Sequence, residues 1–164
     1  MSRRPTPSEI KTLYYSTVKI TRKMKNQENR LLTSELLEVL ASYPLYSQEH
    51  KKVSDLQAVA LFHIGNIRWY ILEGNAEGDR FTFFSLVCGM SDCPELGYTD
   101  AGELASIAVD ASRYGLPGIL LTVERAEDFK PCRLIDIEDE DVQKYVGRFT
   151  EEGEKTYIIE PVKY

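Results

Sequence analysis

An α+β fold is what this 164-residue sequence predicts: N-terminal helices, an antiparallel three-stranded meander, one packed helix and short C-terminal strands. Three observations carry that prediction. Apolar residues recur at helical spacing in 31–44 and 100–115. Aromatic and β-branched residues crowd 57–89, where glycine turns interrupt them. The composition, 43% hydrophobic and 28% charged, is that of a globular chain with one core.

The elements follow in order. TPSE (6–9) offers a helix start, with Thr6 as cap, Pro7 at the first helical position and Glu9 completing a capping box. Ile10, Leu13, Tyr14 and Val18 continue it at helical spacing. KNQENR (25–30) connects to a second helix over 31–44, capped by Thr33, stapled by Leu32 and Leu37, and ended by Pro44. LYSQEHKKVSD (45–55) reads as a loop. Strands follow at 57–64 and 67–73 around the Gly65-Asn66 turn, and at 78–89 after a turn in GNAEGD. Val59, Leu61 and His63 share one strand face; Phe81, Phe83 and Val87 share another.

PELGYTDAGEL (94–104) is the stretch most like a site. Read structurally, it ends the third strand in a loop over 89–97 and starts a helix. Asp100 is the cap, Glu103 sits at the third position, and Leu104, Ile107, Ala108, Ala111 and Tyr114 form one face that Gly115 closes. Read chemically, Glu95 heads an acidic loop. After it, ILLTVER (119–125) predicts a short buried strand and DFKPCRLID an extended run with Pro131 at an edge. A short acidic helix is expected over 136–149, and an edge strand in TYIIEPVKY.

Charge divides the chain. Residues 1–30 carry eight Lys or Arg against two acids, and residues 31–164 carry twelve against twenty-four. Three parts are expected: a basic helical arm (1–30), an α+β core (31–137) and an acidic extension (138–164). No apolar run approaches the ~18 residues of a membrane helix, and no apolar signal core follows MSRRPTPSEIK, so a cytoplasmic protein is expected. The cysteines Cys88, Cys93 and Cys132 form no disulfide framework and read as free thiols.

Most familiar chemistries find no footing. Cys88, Cys93, Cys132 and His63 have the wrong spacing for a zinc site, and no metal or other cofactor is expected. His63, beside Val59 and Leu61, reads as a satisfied core histidine. No phosphate loop, dinucleotide fingerprint or serine elbow occurs. Glu49, Glu73, Glu95 and Glu103 would make a metal-nuclease cluster only by converging in space.

The stretch from LLTSELLEVL through RLIDI resembles a family of small proteins of plasmids, conjugative elements and phages, catalogued only as a domain of unknown function. LLTSELLEVLASYPLYSQEH matches a leading helix followed by P-L-Y and an acid. RWYILEG matches a W-T-W-Y-x-x-E strand, and FTFFSLVCG a F-F-G-L-V-x-G strand in which Ser85 replaces the glycine. PELGYTDAGEL matches x-E-L-G-Y-F-S-L-x-E-L, and LPGILLTVERAEDFKPCRL a closing G-L-P-I-E-R-D-x-x-F-x-P-x-x-L with added residues. The match covers about residues 31–137. It brings no catalytic residues. It implies a cytoplasmic mobile-element protein, with accessory and counter-defence roles.

The leading expectation is therefore a non-enzymatic interaction protein of a phage or mobile element, an inhibitor of host defence such as CRISPR or restriction. Its acids Asp136, Glu138, Asp139, Glu140 and Asp141, with Glu151, Glu152 and Glu154, would meet a basic protein surface. A solvated charged face explains the same run. One alternative is a small enzyme built around Glu95. The other is a nucleic-acid binder whose Arg3, Arg4, Lys19, Arg22, Lys23 and Lys25 contact phosphates. The arm folding back onto the acidic body would account for those cations too.

Overall fold

A computed structural model describes residues 29–151 and 162–163. The expected first helix, and with it Arg3, Arg4, Lys19, Arg22, Lys23 and Lys25, lies outside them. The architecture is α+β. Its centre is a sheet of order β10-β5-β4-β3-β2-β8. Strands β2 (Ala60–Ile64), β3 (Ile67–Glu77), β4 (Arg80–Cys88) and β5 (Glu95–Asp100) form an antiparallel meander. The two-residue strand β8 (Glu124–Arg125) adds antiparallel to β2, and β10 (Val162–Lys163) adds parallel to β5. Two small antiparallel pairs flank it: β1 (Gln57–Ala58) with β9 (Cys132–Arg133), and β6 (Ala108–Asp110) with β7 (Leu120–Thr122).

The turns behave as their residues require. Gly65 has φ 55° in the two-residue Gly65-Asn66 turn that pairs Ile64 with Ile67. Gly89 has φ 82°, and a Cβ there would lie 2.1 Å from the Asn66 carbonyl oxygen. Only glycine allows β4 to leave the sheet so close to that turn.

Each sheet face has its own core. One face buries Phe62, Ile67, Trp69, Ile71, Phe83 and Val87. Over it lie α1 (Ser34–Leu40), through Leu36 and Leu40, and α2 (Ala101–Ser106), through Ala101 and Leu104. Trp69 and Phe83 are almost wholly excluded from water, and each contributes about 1.5–3 kcal/mol by burial. The opposite face buries Tyr70, Leu72, Leu86, Cys88 and Leu96 beneath α3 (Glu140–Glu151). Val142, Tyr145, Val146 and Phe149 of α3 recur at helical spacing and pack on that cluster. Leu134 and Ile137 belong to the same cluster as these α3 residues.

Several local expectations are corrected. The meander has four strands in succession, not three, because 95–100 is a strand rather than a loop. Asp100 does cap the next helix, accepting from the Glu103 N–H at 3.0 Å. That helix ends at Ser106, short of the expected Gly115, and the chain turns extended at Ile107. Gly115 instead closes a short 3-10 turn over Ala111–Tyr114, with φ 77°. Thr33 caps α1, its side chain accepting from the Leu36 N–H at 3.2 Å, as expected. Residues 119–125 are not a buried strand, since Ile119 and Leu120 face solvent and only Val123 is core. His63 is half-buried, on the opposite side of β2 from Ala60, Phe62 and Ile64, and is not a core residue.

Candidate functional site: an anchored aromatic loop

The site begins with a sheet irregularity. In the β3–β4 ladder Ile71 faces Ser85 and Glu73 faces Phe84, so Leu72 and Glu73 together oppose one residue. Such a bulge shifts every later side chain to the other face. Glu73 thereby joins Leu72, Phe84 and Tyr98 on the α3 side of the sheet, while Gly74 turns toward Phe81 and Phe83.

Glu73 is buried, and its carboxylate is occupied by one loop, residues 43–49. The Tyr46 N–H donates to Oε1 at 2.9 Å. The Gln48 N–H donates to Oε2 at 2.7 Å, and the Ser47 hydroxyl lies 3.5 Å from the same oxygen. Around this clasp the Leu45 N–H donates to Asn75 Oδ1 at 2.7 Å, and the Gly74 N–H donates to the Tyr43 carbonyl at 3.0 Å. Buried Gln48 completes it. Its Nε2 donates to the carbonyls of Leu72 (2.9 Å) and Gln57 (3.1 Å), and its Oε1 accepts from the Gln57 N–H at 2.7 Å. Burial pushes the Glu73 carboxyl above the ordinary range, and the charge of nearby Glu49 adds to that, although the loop donors oppose it.

The anchor presents an aromatic residue. Tyr46 has φ 72°, the only positive φ of a non-glycine residue among those described, and its side chain is 59% exposed. Its ring meets Tyr98 edge-on, with centroids 6.4 Å apart, and Tyr98 in turn packs on Phe84 at 5.1 Å. Glu49 is exposed on the same loop. Burial first, then the neighbouring Tyr46 phenol and the charges of Glu73 and Glu49, push the Tyr98 phenol up.

A second carboxylate site lies elsewhere on the same face. Asp139, just before α3, accepts from Arg68 Nε at 2.7 Å and Nη2 at 3.1 Å, and from the Tyr70 hydroxyl at 2.6 Å. Asp141 accepts from Arg68 Nη2 at 2.6 Å. Burial pushes the Asp139 carboxyl up, but Arg68 and Tyr70 outweigh it and hold the group below the ordinary range. Buried Cys88 lies nearby, its thiol pushed up to about 12 mainly by burial. This is a clasp between helix and sheet.

The expected site residues therefore separate. Of the acids 136–141, Asp139 and Asp141 hold Arg68, Asp136 pairs with Arg133 at 3.0 Å, and Glu138 and Glu140 stand exposed. The Glu151 side chain, Glu152 and Glu154 lie outside the described residues. Glu95 is half-buried at the start of β5, opposite Val87. Glu49 and Glu73 come together; Glu103, in the first turn of α2, belongs to the other face of the molecule. Among the described residues no group of three His, Cys, Asp or Glu is placed to hold a metal ion. Tyr46 and Tyr98 were not singled out from sequence. They lie with Glu73 in three separate stretches, PLYSQE, RWYILE and ELGY, and only the fold gathers them at one spot. No protein-family model, curated protein or solved structure matches this chain.

Proposed function

We propose that this chain is a non-enzymatic interaction protein of the mobile-element family it resembles, which binds a basic protein surface and counters a host defence such as CRISPR or restriction. The observation that carries this reading is how the carboxylates are used. Two enclosed ones, Glu73 and Asp139, are occupied by internal donors and hold structure together. The remainder give the body its charge: residues 29–151 contain twenty-one Asp or Glu and eleven Lys or Arg. An acidic surface speeds encounter with a cationic partner and opposes a phosphate backbone.

Affinity capture from host lysate, followed by kinetics on the captured partner, tests it. The Glu138→Gln, Glu140→Gln double variant should associate more slowly, with the difference shrinking as salt rises. Tight duplex binding by full-length protein carrying Arg22→Gln, Lys23→Gln and Lys25→Gln would contradict the reading. So would turnover of a small substrate that Glu95→Gln abolishes while the melting temperature stays unchanged.

A further inference from the structure

The β6–β7 hairpin carries apolar side chains on its outside. Leu116, Ile119 and Leu120 are 43%, 46% and 64% exposed, and Pro117 and Gly118 between them are exposed too. The hairpin's own hydrogen bonds fix its shape. The Ala111 N–H donates to the Ile119 carbonyl at 2.9 Å, and the Leu116 N–H donates to the Ala111 carbonyl at 3.2 Å. The Ile119 N–H donates to the Leu116 carbonyl at 3.3 Å across a Pro117-Gly118 turn, with Gly118 at φ 75°. Strand alternation then divides the two sides. Val109 and Leu121 pair and pack on the core, while Leu120, paired with Asp110, faces away from it. Apolar residues held outward together on a hydrogen-bonded frame mark a surface that something covers.

We propose that residues 10–18 of this same chain cover the hairpin, with Ile10, Leu13, Tyr14 and Val18 laid against Leu116, Ile119 and Leu120. Three observations select that occupant, and none depends on the basic-surface reading above. The first is where the chain enters the described fold. Arg30 lies 3.8 Å from Glu124, and Glu124 accepts from the hydroxyl of Thr122, the last residue of β7. Thr33, just beyond, accepts from Arg125 at 3.1 Å. Residues 1–28 are therefore tethered beside the strand that carries Leu120. The second is reach and size. The ten residues 19–28 can span up to about 33 Å, well beyond the roughly 7 Å from Thr122 to Leu120 along β7. Three partly exposed side chains offer roughly a few hundred Å². One short helix face covers that much, whereas a standard interface with a second copy needs about 800 Å² from each partner. The third is chemistry. Residues 108–122 hold one acid and one cation, Asp110 and Arg113, so an apolar occupant suits the hairpin better than a charged one. The spacing of Ile10, Leu13, Tyr14 and Val18 gives such a face.

The test uses full-length protein with Leu120→benzoylphenylalanine, irradiated as an equal mixture of ordinary and heavy-isotope chains. Expected are cross-links from position 120 to peptides within 10–18, each all-light or all-heavy, as contact inside one chain requires. Leu13→Asp together with Val18→Asp should lower their yield about threefold to tenfold. Light–heavy pairs would put a second copy on the hairpin and overturn the proposal. Cross-links to other parts of the chain alone, or no cross-link, would overturn it as well. Limited trypsin cleavage after Lys11 and Lys19 gives a readout without the photoreactive group. Leu120→Ser, a surface change, should speed that cleavage about threefold to tenfold. Leu37→Ser, at an exposed position of α1, should leave it as it is. Unchanged cleavage in Leu120→Ser, or equal acceleration in both variants, would count against residues 10–18 as the occupant.

Discussion

Glu73 and Asp139 sit on the same side of one sheet, both enclosed, and both accept three or more hydrogen bonds. Their donors differ. Glu73 is held by neutral backbone and hydroxyl groups and feels Glu49, so burial wins and its affinity for a proton rises. Asp139 is held by a guanidinium, so the charge of Arg68 wins and its affinity falls. Burial alone does not set the state of a carboxylate; the charge of what it touches does. The same difference sorts their roles. One clasp fixes a loop that faces solvent, and the other fastens α3 to the sheet.

The largest way to break the comparison is Glu73→Ala. It leaves the Tyr46 and Gln48 N–H groups without a partner and opens a small void, so a loss of about 3 kcal/mol is expected in chemical denaturation. Glu73→Gln keeps one acceptor oxygen and should lose less, about 1–2 kcal/mol. If both were neutral, the loop would not depend on its clasp.

Asp139→Asn should cost about 2 kcal/mol at neutral pH, because it leaves the partly enclosed Arg68 with Asp141 as its one carboxylate partner. Acidity then separates the two clasps by sign. Asp139 has a lowered folded pKa, so its contribution is present above the unfolded aspartate value and is lost as pH falls through the folded one. Glu73 has a raised folded pKa, so its contribution is fullest below the unfolded glutamate value and declines as pH rises through the folded one. Stability-against-pH curves for wild type minus Asp139→Asn and wild type minus Glu73→Gln should therefore slope in opposite directions. Parallel curves would mean that one of the two charge environments is misjudged.

A smaller effect belongs to Asp100, whose carboxylate caps α2 on the other side of the chain. Asp100→Ala should cost about 0.5–2 kcal/mol, read as a shift in denaturation midpoint. It provides the local control: a carboxylate bound three residues away, against two bound across 25 and 71 residues.

That contrast also explains what could be read in advance. The Asp100 cap, the Thr33 cap and the Gly65-Asn66 turn are local, and residue type alone announces them. Strand β5 was hidden because Pro94, Gly97 and flanking acids look like a loop, and only β4 and β10 on either side make it a strand. The helix predicted to Gly115 stops at Ser106, and the extended chain beyond it buries Val109, which a continuous helix would turn away from the face of Leu104, Ile107 and Ala111. The bulge at Leu72 and Glu73 has no marker in the strand's own residues. Without it, Glu73 falls on the wrong face and PLYSQE remains a nondescript loop. Asp139 looked like one of five solvated acids because its partner, Arg68, lies in the meander.

The smallest expected effect is at the tip of the anchored loop. Tyr46→Asn keeps the backbone N–H that Glu73 accepts, suits φ 72°, and removes only a ring that is mostly exposed. Lost contact with Tyr98 and relieved backbone strain have opposite signs, so the melting midpoint should move by no more than about 0.5 kcal/mol in equivalent stability. Against the loss at Glu73, a near-zero result at Tyr46 would separate the loop's anchor from its payload: the first holds the fold and the second contributes nothing to it. A loss of about 2 kcal/mol at Tyr46 would instead make the ring part of the packing with Tyr98 and Phe84.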